Sequence, residues 1–123
     1  MPDMEKVNIA GVFAGFSDYW NPRIVGDIND VQLKVTKLFG EFVWHHHELE
    51  DELCLVVAGR LVMRFRDREI WIDPGECLIV PHGVEHQPVA HQECQVVLIE
   101  PRTTLNTGNI RNERTVAELE RLA

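Results

Sequence analysis

Three consecutive histidines followed by an acidic cluster occupy residues 44–52, WHHHELEDE. Because successive side chains of a β-strand point to opposite faces, His45 and His47 would share one face while His46 faces the other way. A His-x-His pair can bind one metal ion from a single strand. The helical zinc signature H-E-x-x-H is absent, since it would need a histidine in place of Asp51. The segment is therefore either a solvated polar loop or a metal site with interleaved outward-facing residues.

Two further side chains could complete such a metal site. Glu52 lies five residues after His47, and it returns to the histidine face if 48–51 form a connection and a strand begins at 52. His86, in PHGVEH, is the best candidate for a fourth ligand because it follows a turn and re-enters the sheet. Three imidazoles and one carboxylate suit one divalent transition metal: Fe, Mn, Zn, Ni or Co. On an octahedral ion they would leave two adjacent positions for water or substrate.

The elements that must position these residues have the character of short strands. VQLKVTKLF, from Val31, alternates apolar and polar residues, which is the period of a half-buried strand. ELCLVVAG, RLVMRFRD, REIWI, CLIVP and QVVLIEP follow, with turn signals such as DPGE at 73–76 between them. Strands spaced about 8–12 residues apart predict an all-β sandwich or barrel, here over residues 31–105.

The two ends of the chain differ from this central region. Residues 1–30 form an irregular N-terminal arm or strand, with an aromatic strip that favours core or interface packing over a lid: Phe13, Phe16, Tyr19 and Trp20. In the tail, residues 106–123, Thr115 and Glu118 fit a capping box. Val116, Leu119 and Leu122 fall at helical spacing, so the tail predicts one short C-terminal surface helix.

Composition narrows the class of protein. The chain has 123 residues, enough for one domain, and carries a net charge of -8 from 12 basic and 20 acidic residues. An acidic chain repels phosphate backbones, which argues against nucleic acid as a partner. No apolar run reaches the ~20 residues that span a bilayer, and no signal-peptide pattern is present, so no membrane partner is expected. The three widely spaced cysteines indicate reduced, buried thiols in a cytoplasmic protein.

Residues 40–90 resemble the cupin superfamily, small β-barrels that carry two metal-binding motifs. The first motif, commonly G-x5-H-x-H-x(3,4)-E-x6-G, is matched by His45, His47, Glu52 and Gly59, with Gly40 one residue closer than the pattern asks. The second, commonly G-x5-P-x-G-x2-H-x3-N, is matched by Gly75, Pro81, Gly83 and His86, with Ala90 in place of the asparagine. The subgroup most similar to the chain is the small single-domain cupins described as similar to mannose-6-phosphate isomerase.

The resemblance implies a double-stranded β-helix, or jelly-roll, barrel and a homodimer. It also implies that His45, His47, Glu52 and His86 are the metal ligands. Cys54 and the alternating pair Met63 and Phe65 are then expected to face inward, with Arg64 on the outer face. His46 faces outward, and His82 and His91 are expected to be loop histidines.

Such a site would carry a formal charge of about +1 and would prefer an anionic or chelating small-molecule ligand. Three functions stay open: a metal-dependent enzyme on a small carbohydrate or sugar acid with isomerase-like proton transfer, an Fe(II) dioxygenase, and a non-catalytic small-molecule binding module. No residue is a clear general base for the first of these. Only weak candidates stand near the expected pocket mouth: His82, Glu85 and Gln95.

Overall fold

A computed structural model describes residues 4–122; residues 1–3 of the arm and residue 123 of the tail lie outside the described residues. One short helix precedes seven strands. These elements are α1 (Ile9–Phe13), β1 (Arg23–Ile28), β2 (Val31–Glu41), β3 (Glu52–Ala58), β4 (Leu61–Phe65), β5 (Glu69–Ile72), β6 (Cys77–Val80) and β7 (His86–Pro101). Each of the six apolar runs predicted as strands from Val31 onward forms a strand. The segment that carries His45 and His47, expected to be a strand, lies between β2 and β3 and makes only an isolated bridge from His45 to His86.

The strands form an antiparallel jelly-roll barrel in which the long strand β7 belongs to both halves. One path runs β1-β2-β7-β3-β6, and β4, which carries β5, pairs with the first part of β7 on the flank opposite β2. The second half of β7 pairs with β3, where Leu53 lies opposite Ile99. Its first half pairs with β4, where Phe65 lies opposite His86. A single strand therefore carries both His86 of the second motif and the residues that pair with β3.

The barrel buries two apolar clusters, one on each side of the main sheet. The inner cluster fills the barrel and includes Trp20, Leu38, Val56, Met63 and Val96. The outer cluster lies between the sheet and the N-terminal segment, where Phe13 packs against Val35 and Val97. Burial of such side chains contributes roughly 1.5–3 kcal/mol each.

Strand β2 is buried on both faces, which corrects the expectation of a half-buried strand. Its apolar residue Val35 faces outward, yet α1 covers it. Thr36 lines the pocket inside the barrel, and Lys34, two residues away on the same face, is only 1% exposed. VQLKVTKLF alternates as a strand does, but its polar residues Lys34 and Thr36 face the interior.

Close packing requires a glycine at position 59, the last residue of the first motif. Gly59 sits between β3 and β4 with φ +80°, and a Cβ placed there would overlap the backbone of Glu93 and lie 2.9 Å from the Cα of Cys94. Any side chain would therefore push the β3–β4 turn away from strand β7.

The N-terminal segment is more regular than predicted. Residues 9–13 form the helix α1, capped by the Asn8 side chain, which accepts a hydrogen bond from the Gly11 N–H at 2.9 Å. Arg23–Ile28 form β1, which pairs antiparallel with β2. The segment looks irregular in sequence because the elements are short and the chain between them contains DYWNPR.

The C-terminal helix prediction is wrong for the described residues. From residue 106 through 122 the chain contains turns and bends but no helix. The Thr115 hydroxyl, instead of capping, accepts the Asn112 N–H and pairs with the Thr107 hydroxyl at 2.7 Å. Further on, the Leu122 N–H donates to the Ile24 carbonyl at 2.8 Å. Pairing with β1 therefore outweighs the weak local preference for a helix.

Two cysteines are buried as predicted and the third is not. Cys54 and Cys94 lie in the inner cluster, whereas Cys77 is exposed, and all three are free thiols. Cys77 lies opposite Leu55 of β3, which faces the outer side of the sheet, so Cys77 points outward as well. Within residues 4–122, no helix combines the length and apolar character needed to cross a membrane.

Candidate metal centre

The backbone brings the two histidine motifs together. The N–H of His45 donates to the carbonyl of His86 at 3.0 Å, and the N–H of His86 donates to the carbonyl of His45 at 2.9 Å. This reciprocal pair is that of two antiparallel residues whose side chains leave the sheet on the same face. The imidazole rings consequently lie side by side, with centroids 4.3 Å apart.

His45, His47 and His86 form a compact cluster. One ligand nitrogen from each lies within 4.8 Å of the other two, and all three residues are buried. Nδ1 of His45 is 2.9 Å from the Val43 carbonyl, and Nδ1 of His86 is 2.9 Å from the Val84 carbonyl. A carbonyl only accepts, so in each neutral ring Nδ1 carries the proton and Nε2 keeps a free lone pair.

The ring of His47, unlike those of His45 and His86, makes no hydrogen bond. Both of its ring nitrogens are buried, and neither makes a hydrogen bond. Its Nε2 is 3.2 Å from a Glu52 carboxylate oxygen, but without hydrogen-bond alignment. Buried polar atoms without partners are rare because desolvation costs about 1–3 kcal/mol, so these nitrogens indicate a binding role.

Glu52 adjoins the cluster as the sequence predicted. The same carboxylate oxygen lies 3.9 Å from Nε2 of His86. Burial disfavours the carboxylate, but the neighbouring His47 and His86 hold the pKa of Glu52 below its usual value. Beside two imidazoles, an ionised buried carboxylate supplies the negative charge that a cation would need.

The protonation states favour metal binding near neutral pH. Burial, aided by repulsion from His86, lowers the pKa of His45 to about 4, and burial also lowers the pKa of His86. For His47, burial alone would lower the pKa, but the adjacent Glu52 raises it above the usual value. At least two of the three rings are therefore neutral and able to coordinate at pH 7.

The cluster forms one wall of the interior pocket. Other walls are mainly apolar, and the lining includes Trp20, Leu38, Phe42, Leu61, Met63, Pro88, Val96 and Leu98. Its water-accessible volume is about 50 Å³. Since one water needs roughly 10–15 Å³ by this measure, the pocket admits an ion with a few ligand atoms, not a large substrate in full.

An acid–base pair that the sequence did not reveal lies in the same interior. Glu100 lines the pocket, and its carboxylate accepts a hydrogen bond from Lys34 Nζ at 2.9 Å. Both residues are buried. Burial and repulsion from Glu52 raise the pKa of Glu100 to about 7, although Lys34 opposes the shift. The only signal in the sequence was an acidic residue ending the apolar run QVVLI, which does not by itself indicate an inward direction.

The weaker candidates for a general base lie away from the pocket. The side chain of His82 is 61% exposed and pairs with Asp51 at 2.8 Å. Glu85 is exposed and pairs with Arg66 at 2.6 Å. Gln95 is half-buried, and none of the three candidates lines the pocket.

The predicted inward and outward directions of the other side chains are confirmed, but His91, expected in a loop, is an exposed residue of β7. Cys54 and Met63 line the pocket, and Phe65 packs against the inner cluster. His46 points away and contacts Glu48 at 2.7 Å. Arg64 donates to Gln87 on a partly buried outer face.

The aromatic strip divides between the two predicted environments. Phe13 belongs to the outer cluster, whereas Trp20 stacks on Phe42 at 4.6 Å and lines the pocket. Tyr19 is 38% exposed and donates to Glu93. Core packing therefore describes Phe13 and Trp20, of which Trp20 also lines the pocket, whereas Tyr19 lies at the surface.

Proteins similar to this chain include the following three from bacteria. A cupin-2 domain protein of Shewanella frigidimarina is 44% identical, with a TM-score of 0.77, over 78% of this chain and 94% of that one. Protein NMB1881 of Neisseria meningitidis is 33% identical, with a TM-score of 0.73, over 79% of this chain and 99% of that one. The uncharacterized protein YdbB of Bacillus subtilis (strain 168) is 30% identical over 62% of this chain and 77% of its own length.

A family model agrees with these relatives. The Cupin_2 model, described as a cupin domain, matches residues 39–100, about half of the chain. That range includes all three clustered histidines and Glu52. The protein belongs to the Cupin_2 family of the cupin superfamily.

Proposed function

We propose that this protein is a metal-dependent enzyme that moves a proton on a small carbohydrate or sugar-acid substrate, as an isomerase does. The observation that carries the proposal is the buried three-histidine cluster, in which neither ring nitrogen of His47 makes a hydrogen bond. A second acidic residue, Glu100, reaches the same pocket. The two together favour a reacting site over an inert core.

The proposed ligands are His45, His47, His86 and Glu52, and their chemistry fits one divalent transition metal. The imidazoles are neutral donors of intermediate softness and the carboxylate is a hard donor, a set compatible with Fe, Mn, Co, Ni or Zn. The Val43 and Val84 carbonyls orient two of the rings from behind, as outer partners do in metal sites. When bound, such an ion would polarise a carbonyl or hydroxyl oxygen of the substrate.

Glu100 is the proposed proton carrier. The environment holds the pKa of Glu52 low and raises that of Glu100 to about 7, so the two neighbouring carboxyls are pushed toward different protonation states. A group with a pKa near the working pH is the most efficient general acid or base. Lys34 fixes one Glu100 oxygen at 2.9 Å, and that contact orients the carboxyl.

The pocket supports a substrate that is small, anionic or chelating. With a divalent ion, three neutral imidazoles and one carboxylate, the centre has a formal charge of about +1, which attracts carboxylates and vicinal oxygen pairs. The apolar walls, which include Leu38, Phe42 and Met63, exclude water and strengthen these interactions. A sugar acid or α-hydroxy ketone whose reacting end enters the pocket meets these requirements.

Addition of a divalent metal should stabilise the protein, and this tests the centre first. Metal-free protein would be titrated with Mn²⁺, Co²⁺, Ni²⁺ and Zn²⁺ while its melting temperature is recorded. At a free metal concentration 100 times Kd, binding should add about 2.7 kcal/mol, which corresponds to ~10 °C for a chain of this size. Elemental analysis of protein purified without a His-tag should find about one metal per chain.

The outcomes of that titration separate the functions. Bound metal with conversion of a sugar-phosphate, sugar-acid or keto-acid panel supports the proposed enzyme. Iron-dependent oxygen uptake would favour a dioxygenase instead. Failure to take up any metal, in protein whose circular dichroism shows an intact barrel, would contradict both enzymes and leave a non-catalytic binding module.

We also propose that the protein acts as a homodimer in the cytoplasm. Outward side chains of β3 and β6 support the dimer, because Val57 and Ile79 are apolar and exposed, Ile79 by 58%. The free thiols support a reducing compartment. Sedimentation equilibrium should give twice the chain mass, and Ile79→Lys should shift it toward the monomer. A wild-type monomer at the highest concentration studied would contradict the dimer.

A further inference from the structure

The segment that carries His45 and His47 is not part of a regular strand. It follows β2 and precedes β3, and its backbone hydrogen bonds go to three separate places. His45 pairs with His86, and the carbonyl of His47 accepts the N–H of Gly83 at 2.7 Å. His46, between them, is bound by the C-terminal tail. The orientation of both histidines therefore depends on how firmly the middle residue is held.

The tail holds the backbone of His46 from both sides. The N–H of His46 donates to Asn109 Oδ1 at 2.9 Å, and the N–H of Asn109 donates to the carbonyl of His46 at 3.0 Å. These two bonds replace the sheet partner that His46 lacks. Residues 106–116 of the tail, called the strap below, therefore complete the metal-binding segment.

Gly108 allows the strap to come this close. Its φ is +56°, and a Cβ placed there would overlap the carbonyl oxygen of His46. The same Cβ would lie 2.9 Å from the carbonyl carbon of His46 and 3.1 Å from Cδ2 of the His45 ring. Any other residue at 108 would thus press directly on a proposed ligand and on its neighbour.

The strap is internally fixed, so it can transmit a restraint. The Thr107 hydroxyl, in a fully buried residue, contacts the Thr115 hydroxyl at 2.7 Å. The Asn106 side chain donates to the Arg114 carbonyl at 2.8 Å and accepts the Val116 N–H at 2.9 Å. Asn106 also lines the pocket, so the strap is continuous with the site.

We propose that Gly108 is a positioning residue of the metal centre, and that the strap sets the directions of His45 and His47 through the backbone of His46. The proposal rests on the proposed function only in so far as that function requires a metal at the three-histidine cluster. Its failure is distinguishable from failure of the function, because the wild-type protein is measured alongside every variant.

The test compares Gly108→Ala with two matched glycine substitutions. Gly26→Ala adds the same methyl group where no atom lies within 4 Å, and Gly75→Ala adds it at φ +85° with equally open space. The first controls for the change of residue and the second for left-handed backbone strain. Co²⁺ affinity by calorimetry, the visible spectrum of the Co²⁺ complex and the melting temperature of metal-free protein would be recorded for all four proteins.

Gly108→Ala is expected to weaken Co²⁺ binding by about 10- to 100-fold and to change the Co²⁺ spectrum, as loss of an outer partner does in metal sites. Gly26→Ala and Gly75→Ala should stay within about twofold of wild type, even if Gly75→Ala lowers the melting temperature. A merely structural role of Gly108 would lower the melting temperature without altering the Co²⁺ spectrum.

A second variant decides the matter if Gly108→Ala does not fold. Asn109→Ala removes the acceptor for the His46 N–H without adding an atom, and it should weaken Co²⁺ binding by about 3- to 10-fold. The proposal is overturned if wild type binds Co²⁺ and each of the two variants that folds, or Asn109→Ala alone if Gly108→Ala does not fold, matches its affinity and spectrum. Absence of binding by wild type itself would overturn the metal centre and this proposal together.

Discussion

His86→Ala is expected to lower the affinity for a divalent metal by at least about 100-fold, more than the loss typical of an outer partner. The imidazole of His86 contributes one of the three nitrogens that lie within 4.8 Å of one another. Its removal leaves two histidines and Glu52 around an emptied space. Calorimetric titration with Co²⁺ or Zn²⁺ would measure the loss.

The matched control is His82→Ala, four residues earlier, in the loop that precedes β7. His82 is exposed and pairs with Asp51, so its loss should leave metal affinity within about twofold of wild type. Because His86 is 1% exposed, circular dichroism must show that the barrel stays folded, and His86→Gln offers a larger replacement if the alanine variant does not. Unchanged affinity in a folded His86 variant would remove this residue from the ligand set.

Glu100→Gln is expected to slow the chemical step by about 10²- to 10⁴-fold while metal binding changes little. The amide keeps the shape of the carboxyl but cannot accept a proton as a base. Exchange of the carbon-bound hydrogen of a sugar-acid or α-hydroxy ketone substrate into D₂O, followed by proton NMR, would report the step directly.

Two further variants serve as controls for the Glu100→Gln experiment. Glu41→Gln makes the same change at an exposed position at the end of β2, and it should leave exchange unaffected. Since Glu100→Gln leaves Lys34 buried without its anionic partner, the double variant Lys34→Met/Glu100→Gln provides a folded alternative. Rapid exchange in a folded, metal-loaded Glu100→Gln protein would rule out Glu100 as the proton carrier.

The pH dependence of the hydrogen-exchange rate should also report the ionisation of Glu100. If Glu100 must be ionised to accept a proton, exchange should rise as pH increases through about 7, the raised pKa of this group, and level off above it. The contribution of Glu100 to the free energy of unfolding should change in the opposite direction: it should fall as pH rises. A carboxyl whose folded pKa is raised contributes stability that is fully present below its unfolded pKa of 4.5 and is lost as pH rises to about 7.

The strand periodicity predicted an all-β sandwich or barrel. The choice of a jelly-roll barrel, and the set of inward histidines, followed from the resemblance of the two motifs to cupins. The assumption of a strand over residues 44–48 put His45 and His47 on one face and His46 on the other. That orientation is present, but an isolated bridge to His86 and contacts with Gly83 and Asn109 hold it, not a regular strand. Turn residues at 73–76 and the spacing of the apolar runs determined where β4, β5 and β6 begin and end. These features are local, so the amino-acid order alone expresses them.

The same pattern does not show which face of each strand points toward the core. Alternation shows that Lys34 and Val35 face opposite ways, but only α1 packing on Val35 makes the polar face the interior one. Lys34 and Glu100 are 66 residues apart, and their pairing follows from the adjacency of β2 and β7. No sequence period relates two strands that far apart along the chain.

The tail shows the same division between local and tertiary information. Thr115 and Glu118 satisfy a helix-start pattern, yet the Thr115 hydroxyl contacts Thr107 and the chain continues beside Ile24. A capping preference is worth about 1 kcal/mol, which several tertiary hydrogen bonds and the packing of Leu122 exceed. By itself the sequence determined the barrel and the residues suited to a metal; the tertiary structure decided which polar residues join them, because contacts between distant segments carry no local pattern.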